Sequence, residues 1–160
     1  MNKEDLLHAL MYVFENFIEA NATINFQSKQ IEKEMLKAGF DKKEINKALT
    51  WFGDLNQIKD TVTQGTLSIS AATRIFSDYE TNKMTLEARS YLAFLEHSKI
   101  VDPTSRELIV DRVMALEEPV IDTSEIKWVT LMVLFSQADK KHELKLMEDL
   151  ILVHEDSIVH

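Results

Sequence analysis

The chain contains no cysteine, and only three glycines and two prolines among its 160 residues. Without cysteine there is no disulfide framework, no thiolate nucleophile and no zinc site built on sulfur, a composition suited to a reducing compartment. So little glycine and proline fits helices joined by short turns better than an all-β fold, which needs turn residues at close intervals. No run reaches the ~18 consecutive apolar residues of a membrane-spanning helix. The apolar opening, residues 6–14, is preceded by Glu4 and Asp5 where a signal peptide carries positive charge. Glu15 and Asn16 follow in place of a cleavage site, so it reads as a core helix of a cytoplasmic protein. Positive charge is scarce too: 18 Lys and Arg stand against 27 Asp and Glu, a net charge of -9. That balance opposes capture by nucleic acid or anionic lipid.

Chemical motifs are equally thin. There is no Gly-rich phosphate loop, no nucleophile elbow and no recognisable Ser/His/Asp spacing. His8, His97, His142, His154 and His160 are scattered; Asp5 and His8 share one helical turn, but a lone pair does not close a metal shell. No cofactor, metal or catalytic residue is expected, and the chain reads as a protein that is not an enzyme.

What is present is helix grammar. Asp122 and Glu125 form a capping box, Ile121 and Ile126 a hydrophobic staple, and from Ile126 to Phe135 only Lys127 and Thr130 interrupt the apolar run. A helix apolar around its circumference must be surrounded by others. Trp128 within it is expected to be buried, its indole N–H on an acceptor. The fold class is therefore all-α, with a C-terminal bundle built around this central helix.

Upstream, Leu6, Leu7, Leu10, Met11, Phe14, Phe17 and Ile18 recur at helical spacing in a helix capped by Asn2 and ended near Asn21. A second helix starts near Ser28, turns Ile31, Met35 and Leu36 inward and stops at Gly39. Phe40 with Ile45 and Asp41 with Glu44 then open a third helix carrying Ala48, Leu49 and Phe52, which Gly53 is expected to stop. Residues 1–53 thus form a three-helix unit of helix-turn-helix type. Residues 54–76 lack a 3.6-residue period and read as an irregular connector, with brief extended structure conceivable at residues 74–76. Residues 77–160 form the C-terminal bundle. Ser77 and Glu80 cap a helix through Leu95, Asp102-Pro103 opens another through Leu116, and Leu144, Leu146, Met147, Leu150, Ile151 and Val153 mark the last. Glu117-Glu118 sits at a helix end, where the dipole disfavours negative charge; simple solvation is the expectation, recruitment of a basic partner the alternative.

Several pieces, taken in order, resemble the Smg family of bacterial proteins. They are Leu10-Met11-Tyr12-Val13-Phe14-Glu15, Ala38-Gly39-Phe40-Asp41, Arg74-Ile75-Phe76 with Glu80, Phe94-Leu95-Glu96, Arg106-Glu107-Leu108-Ile109, Arg112-Val113-Met114-Ala115-Leu116 and Lys127 to Phe135. They cover nearly the whole chain, with least likeness at residues 57–72. The resemblance implies no established biochemical activity and no catalytic residues. Genes of the family often lie beside those of DNA processing, an association and not a mechanism.

Two binding hypotheses follow from the residues. Arg74, Phe76 and Tyr79 make an Arg-plus-aromatic set of the kind that anchors protein interfaces, and they would face a protein partner across a groove between the two lobes. Arg74 could equally pair with a carboxylate of the C-terminal bundle. Alternatively Lys42, Lys43, Asn46 and Lys47 would read nucleic acid from the third helix, although Glu32, Glu34, Asp41 and Glu44 interleave acid among those lysines. A solvated lysine face, or a three-helix protein-binding module of the ubiquitin-associated type, accounts for the same pattern.

Overall fold

The computed structural model describes residues 5–18, 29–63, 75–137 and 139–159. Among these the chain is all-α, in eight helices: α1 Asp5–Val13, α2 Lys29–Lys37, α3 Lys42–Thr63, α4 Asp78–Lys83, α5 Leu86–His97, α6 Pro103–Met114, α7 Thr123–Ser136 and α8 Lys141–Val159. The expected cap and ends at Asn2, Asn21 and Ser28, and the side chains of Phe17, Ile18 and Val153, lie outside the described residues, as do residues 64–74.

α7 is the centre. Asp122 and Glu125 close their capping box, and Ile126, Val129, Thr130, Leu131, Met132, Val133 and Leu134 are all buried. α5 and α6 pack on it from earlier in the chain and α8 from later; the Phe14 ring meets Phe135 edge-on at 5.4 Å. Trp128 does not follow expectation. It is only half-buried against the core, and the tryptophan sunk in the interior with its N–H satisfied is Trp51.

α1 widens after Val13 into a single π-helical turn over Phe14–Ile18, where the Asn16 amide donates to the Tyr12 carbonyl at 2.9 Å. α2 ends as its glycine predicts. Gly39 takes φ +103, its N–H bonds Leu36 O and the next N–H, of Phe40, bonds Met35 O, each at 3.1 Å. This is a Schellman ending. Leu36, expected inward, is 47% exposed. At the start of α3, Asp41 accepts from the Glu44 N–H at 2.8 Å. The return half of that box is missing: Glu44 is buried, and its carboxylate oxygens have no hydrogen-bond partner among the described residues.

Two boundaries differ from the sequence reading. α3 does not stop at Gly53; it runs to Thr63, so residues 54–63, expected as connector, are helical. A mid-helix glycine costs about 1 kcal/mol, and burying Leu55 and packing Ile58 on the core outweigh it. The helix expected from Ser77 to Leu95 is instead two. Ser77 and Glu80 do cap the first. Met84 then turns extended and pairs in parallel with Ile121, Thr85 N–H bonding Ile121 O at 2.9 Å and Ile121 N–H bonding Lys83 O at 2.8 Å. Thr85 restarts the chain as the N-cap of α5, accepting from Ala88 N–H at 3.0 Å. In α8, Met147 is buried as expected while Leu146 is 38% exposed.

α3 binds the first half of the chain to the second. Trp51 Nε1 donates to Arg112 O at 3.0 Å, and the Arg112 guanidinium donates back to Trp51 O at 3.2 Å while lying 5.5 Å from the indole centre. Further along α3, Lys59 donates to Ser136 O at 2.8 Å, closing one of the carbonyls left open at the end of α7. One hydrophobic core therefore runs through both halves.

Candidate interaction surface

Seven large apolar side chains are exposed among the described residues; Tyr79 lies in α4, Leu86 and Phe94 in α5, Ile75 just before the α4 cap and Val120 just before Ile121 of the Met84–Ile121 pairing. The geometry of α5 explains the concentration. Ala88, Leu92 and Leu95 are buried on one side. Leu86, Ser90, Ala93, Phe94 and His97 follow at helical spacing on the other, and all are exposed. At the end of this face a hollow of about 730 Å³ opens between α5 and the start of α6, lined by Ala93, Phe94, His97, Lys99, Val101 and Pro103.

The turn beside the hollow is held in an unusual way. Lys99 takes φ 68, with Lys99 N–H on Glu96 O and Ile100 N–H on Leu95 O. It is a second Schellman ending, with lysine where glycine is the comfortable residue. Asp102 caps α6 by accepting from Ser105 N–H at 2.7 Å and pairs with Lys140 from the start of α8. Burial pushes the Asp102 carboxyl up, but the hydrogen bonds from Lys140 and Ser105 outweigh it and hold the group below its ordinary range. Nearby, Arg106 is buried on Glu96 and Glu107, each at 2.8 Å.

At the other end of the edge the cations turn inward. Lys83 donates to Met114 O at 3.0 Å and to Leu116 O at 2.6 Å, capping α6; burial lowers its pKa, against the pull of Glu118. Arg89 donates to Met84 O at 3.3 Å. Lys127 lies 5.7 Å from the centre of the Tyr91 ring. Burial raises the pKa of the Tyr91 phenol.

Of the residues singled out from sequence, Tyr79 is 68% exposed, Phe76 is half-buried against the core, and Arg74 lies outside the described residues. The groove expected between the lobes corresponds to a smaller hollow of about 320 Å³, lined by Leu6, Asn46, Lys47, Thr50, Trp51 and Arg112 among others. Its floor is the Trp51–Arg112 pair, already satisfied on both sides. Lys47, expected to face nucleic acid, bonds Glu117 at 2.7 Å and lies 3.8 Å from Glu44. The hydrogen bond to Glu117 raises its pKa. Glu117 is thus not simply solvated, as its sequence suggested; its charge at the end of α6 is answered by Lys47. Lys42, Lys43 and Asn46 remain exposed. Among the described residues no three His, Asp or Glu side chains gather as a metal site, and no helix is long and apolar enough to cross a membrane.

Leu86 and Val120 were not singled out as binding residues. An apolar residue just inside a cap reads as core until the long-range Met84–Ile121 pairing turns it outward.

Comparison with known proteins decides the family. Residues 6–160 match the family described as "Protein of unknown function (DUF494)". The chain is 37% identical over 157 residues to a Protein Smg homolog of Vibrio cholerae serotype O1 (strain M66-2), covering 97% of this chain and 99% of the relative. The chain belongs to the Smg family. Other relatives named Protein Smg homolog include one from Vibrio parahaemolyticus, 35% identical over 158 residues, and one from Aeromonas hydrophila, 32% identical over 157. In each case 97% of this chain is covered, with 99% and 100% of the relative. Smg proteins carry no defined biochemical activity in name or family description. No solved structure matches the chain.

Proposed function

We propose that this Smg protein is a non-enzymatic cytoplasmic binding module that engages another protein through the α4–α5 edge, with Tyr79 and Leu86 as anchors. The carrying observation is that five of the seven large apolar side chains exposed among the described residues fall within or next to α4, α5 and the Met84–Ile121 pairing, where exposed apolar surface marks an interaction site. Phe76, three residues before Tyr79, is half-buried against the core. The junction between the halves is the weaker candidate, because the polar groups of its floor are bonded to one another. The nucleic-acid reading keeps Lys42, Lys43 and Asn46 but shares Lys47 with Glu117.

The test is affinity capture from the host with wild type, a Tyr79→Ser/Leu86→Ser variant and a Lys42→Ala/Lys43→Ala variant. The expected result is a partner retained by wild type and the lysine variant and lost from the first variant, whose circular dichroism is unchanged. Recovery of the same partners by all three would refute the assignment. Duplex DNA binding that weakens with salt and vanishes in the lysine variant would favour the alternative.

A further inference from the structure

We propose that the hollow between α3 and the end of α6 binds a guanidinium or alkylammonium group, which takes Glu117 and Asp54 while Lys47 moves over to the buried Glu44. The site is separate from the α4–α5 edge and does not depend on the role proposed for it. The hollow, about 320 Å³, lies near the small end of the range for ligand pockets. Its charges do not balance. Arg112 is held within the fold, on Trp51 O and Asp111. Lys47, the other cation of the lining, stands between two carboxylates, Glu117 at 2.7 Å and Glu44 at 3.8 Å. Only the first distance is a hydrogen bond. Asp41 acts on the same ammonium. Asp54, which lines the hollow too, has no hydrogen bond or ion pair among the described residues.

Glu44 carries the argument. Its side chain is 4% exposed, and neither carboxylate oxygen has a hydrogen-bond partner among the described residues. A place in the first turn of α3 suits the helix dipole but gives those oxygens no donor. A buried polar group left this way is costly and rare. The Lys47 ammonium would reach hydrogen-bond distance by moving about 1 Å, and Glu117 is what holds it back. The Glu117 side chain is 46% exposed. A guest cation that pairs with it releases Lys47, so the bond lost to Glu117 is offset by the one that Glu44 lacks. A metal ion fits less well, because no three acids or histidines gather among the described residues. An organic cation with several directed donors can serve carboxylates that stand apart.

Butylguanidinium and butylammonium are the probes and butylurea the neutral control, titrated into the full chain with amide chemical shifts as the readout. Both cations are expected to shift residues 44–54 and 112–117 and to bind more weakly as salt rises. Asp54→Asn and Glu117→Gln should each weaken them about threefold, the scale of an exposed ion pair. Glu44→Gln should weaken them as much while leaving resistance to urea unchanged or higher, which a carboxylate serving only the fold would not do. Tyr79→Ser/Leu86→Ser should leave affinity unchanged, so failure here is distinct from failure of the α4–α5 edge. The peptide acetyl-Ala-Arg-Ala-amide separates the sources: binding like butylguanidinium points to a basic side chain of a protein, and exclusion points to a small free cation. Equal binding of butylurea, shifts elsewhere, or no shift from either cation overturns the proposal. So does affinity indifferent to Asp54→Asn and Glu117→Gln, or to Glu44→Gln.

Discussion

α7 and α5 differ little in length, lie against each other and begin with well-formed caps, yet they meet water differently. α7 is enclosed by α5, α6 and α8, and its sequence is apolar on nearly every side. α5 buries Ala88, Leu92 and Leu95 and leaves Leu86 and Phe94 outside. Enclosure of α7 is accounted for by the fold alone. Exposure of α5 is not, since burying a leucine is worth about 1.5–3 kcal/mol and nothing in the fold collects that energy. The contrast separates residues that hold the structure from residues available to something else.

One substitution made in both helices should show this most sharply. Leu134→Ala in α7 is expected to destabilise the protein by about 2–5 kcal/mol, and Leu86→Ala in α5 by less than about 0.5 kcal/mol, by urea unfolding. Equal losses would mean that the α5 face is covered after all. Next in size, Trp51→Phe keeps most of the ring but removes the donor to Arg112 O; a loss of about 1–2 kcal/mol is expected, with Trp128→Phe, half-exposed, losing less.

The two Schellman turns allow a matched test. Gly39→Ala places a side chain at φ +103 and should cost about 1 kcal/mol. Lys99→Gly relieves the same restriction beside the α5 hollow and should gain up to about 1 kcal/mol. No gain there would show that the lysine side chain compensates for its backbone.

Asp102→Asn is expected to have the smallest effect. Asparagine caps as well as aspartate, so only the charge interaction with Lys140 is lost, about 0.5 kcal/mol once solvent screening is allowed for. Because the folded carboxyl sits below its unfolded value, ~3.9, its contribution is present above that pH and lost as pH falls through the folded pKa. The wild-type advantage in urea should therefore be full at pH 7 and fade in acid below pH ~4.

Local signals were legible in the sequence and distant ones were not. The caps at Ser77, Asp102 and Asp122 and the stop at Gly39 involve residues within one turn of each other, and each formed. Gly53 misled because a glycine inside a helix is a modest penalty, while the spacing of Trp51, Phe52, Leu55 and Ile58 carried the apolar face straight through it. The break at Thr85 depends on Ile121, 36 residues on, and the partner of Glu117 is Lys47, 70 residues back. Neither pairing leaves a local mark. The same limit hid the exposed apolar residues: Tyr79 could be picked out by its type, but Leu86 and Val120 acquire meaning only from the faces their neighbours bury.

α3 has a mechanical consequence. At 22 residues it is about 33 Å long, begins against the ring cluster of His8, Tyr12 and Phe40 and reaches the last turn of α7 through Lys59. Such a rod acts as a splint across the place where a swivel between lobes would otherwise sit. Probes fixed at Lys42 and Asp60 should report one narrow distance.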